Sequence, residues 1–271
     1  SLKIIFYMFR LLSKLKNKNY RVALYNFYYF WKEKIRKTFV NIFLELFKSN
    51  GYIIAPKKSF DDFYLREYKS YKEYRDVQVF HNKRKINKVF ADEKTLTRVG
   101  NIIINEFDGK SEIRGLCHGS RNGFEQNYLR EFSNKINAIG TDISDSAKNY
   151  KNSVQWDFHD INVDWEDNNH FIYTNSLDQS WQPKIALKTW LSQLTRDGLL
   201  IIEHTNSHTP TNASKSDPFG VRPTVMPYVL TLWFGSQISI EHSVSKKSNG
   251  RKMDAWLFVI RKNIKDVLLL N

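Results

Sequence analysis

From Ser111 onward, short apolar runs alternate with stretches patterned for helices. That alternation restricts the chain to an α/β fold, a doubly wound sheet built mostly of parallel strands. Ile113–Cys117, Ala138–Thr141, Val154–Trp156, Phe171–Thr174 and Leu199–Ile202 read as five strands. Phe124–Phe132 and Pro183–Leu194 read as helices between them, the second followed by the turn signal Arg196-Asp197-Gly198. The end of the chain breaks the pattern. Gln237–Val244 and Ala255–Arg261 are strand-like runs joined by a polar loop containing Asn249-Gly250, which predicts an antiparallel hairpin.

Two strand ends carry chemistry. CHGSRNGFE, Cys117–Glu125, follows the first strand, and IGTDISDSA, Ile139–Ala147, spans the end of the second. Gly119 and Gly123 bracket a bend where backbone can pass close to a ligand, because no Cβ stands in the way. Asp142 adds a carboxylate one strand over, and a carboxylate accepts two hydrogen bonds from one vicinal diol. A glycine pair alone is a weak signal, and Asp142 also suits capping a helix that begins near Ser144. Together, on neighbouring strand ends, they favour a nucleotide-type ligand held by its ribose at the carboxyl edge of the sheet.

These segments resemble the class I S-adenosylmethionine-dependent methyltransferases, over about Ser111 to Lys262. IRGLCHGSRNGFE is similar to the family's first motif, with Gly119 and Gly123 in its outer glycine places. AIGTDISDSA is similar to the second, with Asp142 as the ribose-binding acid. FIYTNSLDQSWQPKIALKTWLSQLTRDGLLIIEHT is similar to the block of fourth strand, helix and fifth strand. The whole also resembles methyltransferases encoded among glycan-assembly genes of bacteria and large viruses. The resemblance implies a Rossmann-like sheet with a C-terminal antiparallel hairpin, S-adenosyl-L-methionine as cofactor, and methyl transfer as the activity.

It implies cofactor contacts at the first two strand ends from Cys117, Gly119, Ser120, Arg121, Gly123, Asp142 and Ile143. Asp157 and Phe158 would meet the adenine after the third strand, with His159 and Asp160 as alternatives. Asn175, beside Ser176, would face the sulfonium. The chain departs from the first motif in two places. Cys117 stands where an acid usually helps hold the methionine ammonium, and Arg121 replaces the middle glycine. The amino-acid end of the cofactor is therefore expected to be held differently. Arg121 suits either the cofactor carboxylate, as a fork-shaped donor, or a structural tie to Glu125 or Glu131.

Methyl transfer is an in-line displacement that depends mainly on alignment and exclusion of water. An attacking hydroxyl must also lose its proton, so a base is expected near the ends of strands four and five. Asp178, Glu203, His204 and His208 are the candidates there. His204 titrates in the right range, and Asp178 is the other leading choice. Alternatively Asp178, Glu203 and His204 together hold a divalent cation that lowers the hydroxyl pKa. Each of these side chains is also an ordinary cap or loop hydrogen-bonder.

The 271 residues suffice for one α/β domain with an appendage. Residues 1–56 read as a basic amphipathic helical extension, 57–110 as a helical lid or linker, and 111–271 as the methyltransferase-like domain. A net charge of +14 calls for an anionic partner or reflects an AT-rich genome. The extension is accordingly suited to packing on the main domain or a second copy, to peripheral membrane contact, to a glycosyltransferase partner, or to RNA. Asn50-Gly51 is its expected helix stop.

Ser59, Asp61 and Asp62 resemble a helix start, and Tyr71, Tyr74 and Gln78 are lid candidates over the cofactor. Thr205–Val225 lacks periodicity and is expected to cover the acceptor, with Trp181 or Phe219 stacking on a sugar and Trp233 in the core. The single cysteine excludes an internal disulfide and a cysteine-rich zinc site. Ser1–Tyr20 lacks a signal-peptide pattern, and Val22–Trp31 falls short of the ~20 residues that span a bilayer. A cytoplasmic protein, peripheral at the membrane, is expected.

The function expected is O-methylation of a sugar hydroxyl in a polysaccharide or lipid-linked glycan. RNA is the rival acceptor, although no basic-aromatic RNA-binding motif is present. A non-catalytic scaffold retaining the fold is the rival of another class. A nicotinamide-dependent dehydrogenase is set aside, because Arg121 breaks the G-x-G-x-x-G spacing.

Overall fold

The elements of the computed structural model run β1 (Phe63–Leu65), α1 (Tyr71–Arg84), α2 (Glu93–Glu106), β2 (Ile113–His118), α3 (Phe124–Phe132) and β3 (Ile136–Asp142). They continue with β4 (Ser153–Gln155), β5 (Asn169–Thr174), α4 (Pro183–Gln193), β6 (Leu194–Thr205), β7 (Phe219–Val221), α5 (Met226–Phe234), β8 (Ile238–Lys246) and β9 (Asp254–Lys262). The structure describes residues 30–31, 33–42, 45–46, 61–247 and 253–263. The chain divides into two compact units, Ser1–Pro56 and Lys57–Asn271. Described residues of the first are helical, with Arg36 donating to Glu33 at 3.0 Å and the Thr38 hydroxyl to the Lys34 carbonyl at 2.9 Å. The expected stop at Asn50-Gly51, the start at Ser59 and the turn at Asn249-Gly250 lie outside the described residues.

The second unit is built on a seven-stranded sheet in the order β4-β3-β2-β5-β6-β9-β8. β2 to β6 pair in parallel, and β9 enters antiparallel between β6 and its hairpin partner β8. This is the mixed sheet that the alternation of elements predicts. The turn signal at 196–198 falls inside β6 as a bulge. Pairing jumps from Asn169–Leu194 to Phe171–Leu199, leaving Thr195–Gly198 looped out.

Both faces of the sheet are covered, so its central strands are apolar at almost every position instead of alternating. Side-chain parity still sorts them. Leu199 and Ile201 of β6 and Leu257 and Val259 of β9 pack with Leu96, Val99 and Ile103 of α2 and Leu129 of α3. Leu200, Ile202, Phe258 and Ile260 pack on the other face with Trp190 of α4 and Val229 and Leu230 of α5. That parity decides which strand-end residues reach the site.

Residues 59–107 are not wholly helical. Phe63–Leu65 pair antiparallel with Phe219–Val221 in a separate two-stranded sheet. Helix α1 starts later than Asp61-Asp62 implies, at Ser70, whose hydroxyl accepts from the Glu73 amide at 3.2 Å. Asp92 caps α2 in the same way, accepting from the Thr95 amide at 3.1 Å. Thr205–Val225 likewise contains β7 and two short 3-10 turns, 206–208 and 210–212. Among the described residues, no helix is long and apolar enough to cross a membrane.

Candidate active site

The bend after β2 is forced by its glycine. Gly119 has φ +74°, and a Cβ there would stand 2.5 Å from Ser176 Cβ, at the end of β5. Arg121 also has positive φ, 45°, so the turn holds a side chain in a conformation that favours glycine. What fixes it is Asp142: the Arg121 amide donates to Asp142 Oδ2 at 3.1 Å, and the Ser144 amide donates to Oδ1 at 2.9 Å. Asp142 thus holds the Ser144 amide, but the helical turn that follows is capped by Ser144 itself, whose hydroxyl accepts from the Ser146 amide. The Asn82 side chain bonds the same carboxylate, and the acceptor positions these donors leave are those open to a ligand. Burial pushes the Asp142 carboxyl up, while these amides and the Arg121 charge oppose the shift.

Two adjoining cavities open at this edge of the sheet. The first, about 510 Å³ including space open to solvent, is lined by Asp142, Ile143, Asp157 and Phe158, with Tyr74, Gln78 and Asn82 of α1 opposite. The second, about 900 Å³ on the same measure, is lined by Glu125, Asn175, Ser176, Asp178, Glu203 and His208, with Lys247 and Met253. Gly119, Arg121, Lys85, Gln179 and Asp217 border both. The glycine turn is thus the shared wall.

The corner after β4 is locked by a chain of hydrogen bonds. The Asp157 carboxylate meets His159 Nδ1 at 2.7 Å, His159 Nε2 meets the Ser180 hydroxyl at 2.7 Å, and the Tyr71 hydroxyl donates to Asp157 Oδ2 at 2.9 Å. Burial opposes the charge on Asp157, yet the bonds from His159 and Tyr71 hold its pKa below the ordinary value. His159 sits behind Asp157 as its support, and Asp160 is exposed. Trp181 stacks on Tyr74 at 5.4 Å and 17°, beside Tyr71. All three lid candidates therefore stand at the first cavity, Tyr71 through its bond to Asp157.

Several expectations need correction. Cys117 lies in the core beside Ile201 and Tyr173 and borders neither cavity. Ser120 is buried too; its hydroxyl lies where a side chain on Gly140 would stand. Gly123 is the N-cap of α3 at φ +79°, borders an outer groove, and serves the backbone. Arg121 ties to neither Glu125 nor Glu131. It donates to the Lys88 carbonyl at 3.2 Å and lies over the Phe90 ring at 4.9 Å, leaving Nε without a partner among the described residues. Phe219 is core, packed on Phe63 and Trp233, and is out of reach of an acceptor.

The strand-five pair splits by parity. Glu203 points to the α2–α3 face and reaches the second cavity, where the Tyr173 hydroxyl donates to Oε2 at 2.6 Å and Lys247 pairs with Oε1. His204 points the other way. Its Nε2 donates to the Val221 carbonyl at 2.8 Å, and burial lowers its pKa to about 3. It borders neither cavity, so it cannot meet a reacting hydroxyl. His208 does line the second cavity, 3.7 Å from Asp178 Oδ2, its pKa pushed down by burial to about 4. Burial, then the nearby Asp217 charge, raises Asp178 well above the carboxylate range, and its Oδ1 has no partner among the described residues.

Asp178, Glu203 and His204 do not converge on a point. Among the described residues, no group of three His, Cys, Asp or Glu side chains is placed to hold a metal ion. The divalent cation offered by the sequence as an alternative therefore has no ligand set among the described residues.

No protein-family model matches the sequence, and no curated protein matches it. Solved structures do. The 1,6-didemethyltoxoflavin-N1-methyltransferase of Burkholderia thailandensis, solved with S-adenosylhomocysteine, superposes with a TM-score of 0.56 at 14% identity, over 73% of this chain and 92% of that one. The plantazolicin methyltransferase BpumL gives 0.54 at 13% identity, over 71% and 98%. A SAM-dependent methyltransferase from Anabaena variabilis gives 0.51 at 12% identity, over 74% and 97%. The fold is that of the class I methyltransferases. The first cavity lies at the ends of β3 and β4, and the second at the ends of β5 and β6.

Sequence reasoning missed Lys85, at the end of α1, and Lys247 and Met253, beside the ends of β8 and β9, whereas Asp217 lies in the segment 205–225 expected to cover the acceptor. Nothing local in the sequence marks them.

Proposed function

We propose that the protein is an S-adenosylmethionine-dependent methyltransferase acting on a hydroxyl oxygen, with a sugar of a polysaccharide or lipid-linked glycan as acceptor. The observation that carries this reading is the bond from the Arg121 amide to Asp142, which makes the glycine turn and the diol-binding acid one structure. The residues present fit the cofactor. Asp142 has acceptor capacity for a ribose diol, Ile143 and Phe158 offer apolar surface to adenine, and Asp157 offers an acceptor for its amine. Arg121 has a free guanidinium nitrogen for the carboxylate. When bound, the cofactor supplies a methyl group on a positively charged sulfur.

The chain's own part is to align the acceptor and take its proton. Asp178 and His208 face each other in the second cavity, where burial favours the uncharged form of each. His208 offers a lone pair at neutral pH. Asn175, Ser207 and Thr205 supply hydrogen-bonding groups suited to a polyhydroxyl acceptor. The basic residues 1–56 are assigned to peripheral contact with a membrane or a glycosyltransferase, within a cytoplasmic setting. RNA methylation remains the second reading because of the net charge of +14.

The test is transfer of a labelled methyl group from S-adenosylmethionine to glycan and RNA acceptors. Transfer to glycan supports the reading. Transfer to RNA alone, with steep loss in salt, replaces the acceptor. No binding of the cofactor leaves a scaffold that kept the fold.

A further inference from the structure

Cys117 stands where the resembled family carries an acid for the methionine ammonium, and in this chain its thiol is sealed in the core. An acid stands elsewhere on the same cavity wall. Glu125, in the first turn of α3, is only 7% exposed and lines the second cavity with Gly119, Arg121 and Asn175. Asn175 Nδ2 approaches Glu125 Oε1 at 3.4 Å, while Oε2 is buried with no partner among the described residues. A buried carboxylate oxygen left bare is costly unless a ligand satisfies it.

Arg121 offers the opposite charge across the same space. Its guanidinium is spent on the Lys88 carbonyl and the Phe90 ring instead of on Glu125, with Nε bare. A bare carboxylate oxygen and a bare guanidinium nitrogen on one cavity wall complement an amino-acid zwitterion.

We infer that Glu125 receives the α-ammonium group of the cofactor's methionine end, with Arg121 on its carboxylate. This rests on the methyltransferase reading. It moves the acid from the strand end to the first helical turn, which explains how Cys117 can be a core residue in a working site. Burial is the main cause that pushes the empty Glu125 carboxyl up to about 7, with the Arg121 charge opposing it. An arriving ammonium favours the ionised form, so binding at neutral pH expels a proton to solvent.

The test is calorimetry with S-adenosylhomocysteine and with methylthioadenosine, which lacks the amino-acid portion, in two buffers of different ionisation enthalpy. The wild type is expected to prefer S-adenosylhomocysteine and to release protons on binding it near pH 7. Glu125→Gln is expected to bind S-adenosylhomocysteine about 10- to 100-fold more weakly, with methylthioadenosine unchanged and the proton release gone. Glu125→Asp, which keeps the charge, should recover part of the affinity. Equal losses for both ligands would make Glu125 a structural residue and overturn the inference. So would an unchanged affinity for S-adenosylhomocysteine. A wild type that binds neither ligand overturns the methyltransferase reading itself, and the inference with it.

Discussion

The Arg121 backbone N–H donates to Asp142 Oδ2 across 3.1 Å, tying the bend after β2 to the acid that closes β3. An aspartate that only capped the turn near Ser144 would have no reason to hold the glycine bend. One that holds both, and still lines a cavity, shapes the site.

Gly119→Ala should damage the turn twice. The residue sits at φ +74°, and the new methyl would stand 2.5 Å from Ser176 Cβ. Left-handed strain and overpacking together are expected to cost at least about 2 kcal/mol. Urea denaturation of the variant checks the loss of stability, and Gly109→Ala, with open space around its added Cβ, should be far milder.

Asp178 should make the protein more stable in acid than in base. Burial raises its pKa in the folded state, so the folded chain holds a proton that the unfolded chain has given up. Stability from this group is complete below the ordinary carboxylate pKa and is lost as pH rises through the raised value. Asp178→Asn, a fixed mimic of the protonated form, should exceed the wild type in stability at pH 8 and match it near pH 4. A constant offset between the two across that range would rule out the assignment.

His204 carries the opposite slope. Burial lowers its pKa to about 3, against about 6.5 when unfolded, so the unfolded chain takes up the proton first on acidification. Its contribution is complete above the unfolded value and falls by about 1.4 kcal/mol per pH unit between those limits. His204→Gln, which keeps a donor for the Val221 carbonyl, should flatten the acid limb of wild-type stability by one proton. Glu125 and Asp178 slope the other way, which is why the measurement is the difference between variant and wild type.

If His208 takes up the acceptor proton beside an uncharged Asp178, His208→Gln should lower kcat by about 100- to 10,000-fold, and Asp178→Asn, which keeps a neutral group there, by much less. Affinity for S-adenosylhomocysteine should stay within a few-fold. His204→Gln should leave the acid limb of the pH–rate profile where it is, since its ring faces Val221.

The sheet was legible because most of its strands are apolar runs of six residues or more that alternate with helices. Phe124–Phe132 and the start of α4 at Pro183 fall where the sequence puts them. β1 was not, since three residues, Phe63–Leu65, form a strand only because β7 lies beside them. In the site, Asp142, Ile143, Asp157, Phe158 and Asn175 could be reached by counting from strand ends. The base could not. Glu203 and His204 are neighbours in sequence and face opposite sides of β6, and which side opens on the second cavity is set by what packs on each face. His208 reaches the cavity because a short turn at 206–208 carries it back, and no local pattern announces that turn.

The most direct measurement is a crystal structure with S-adenosylhomocysteine bound. The expected result has both ribose hydroxyls on Asp142, the adenine between Ile143 and Phe158, and the sulfur facing Asn175 and Asp178. A ligand whose ribose lies away from Asp142, or a protein that binds none at saturating concentration, would contradict the account.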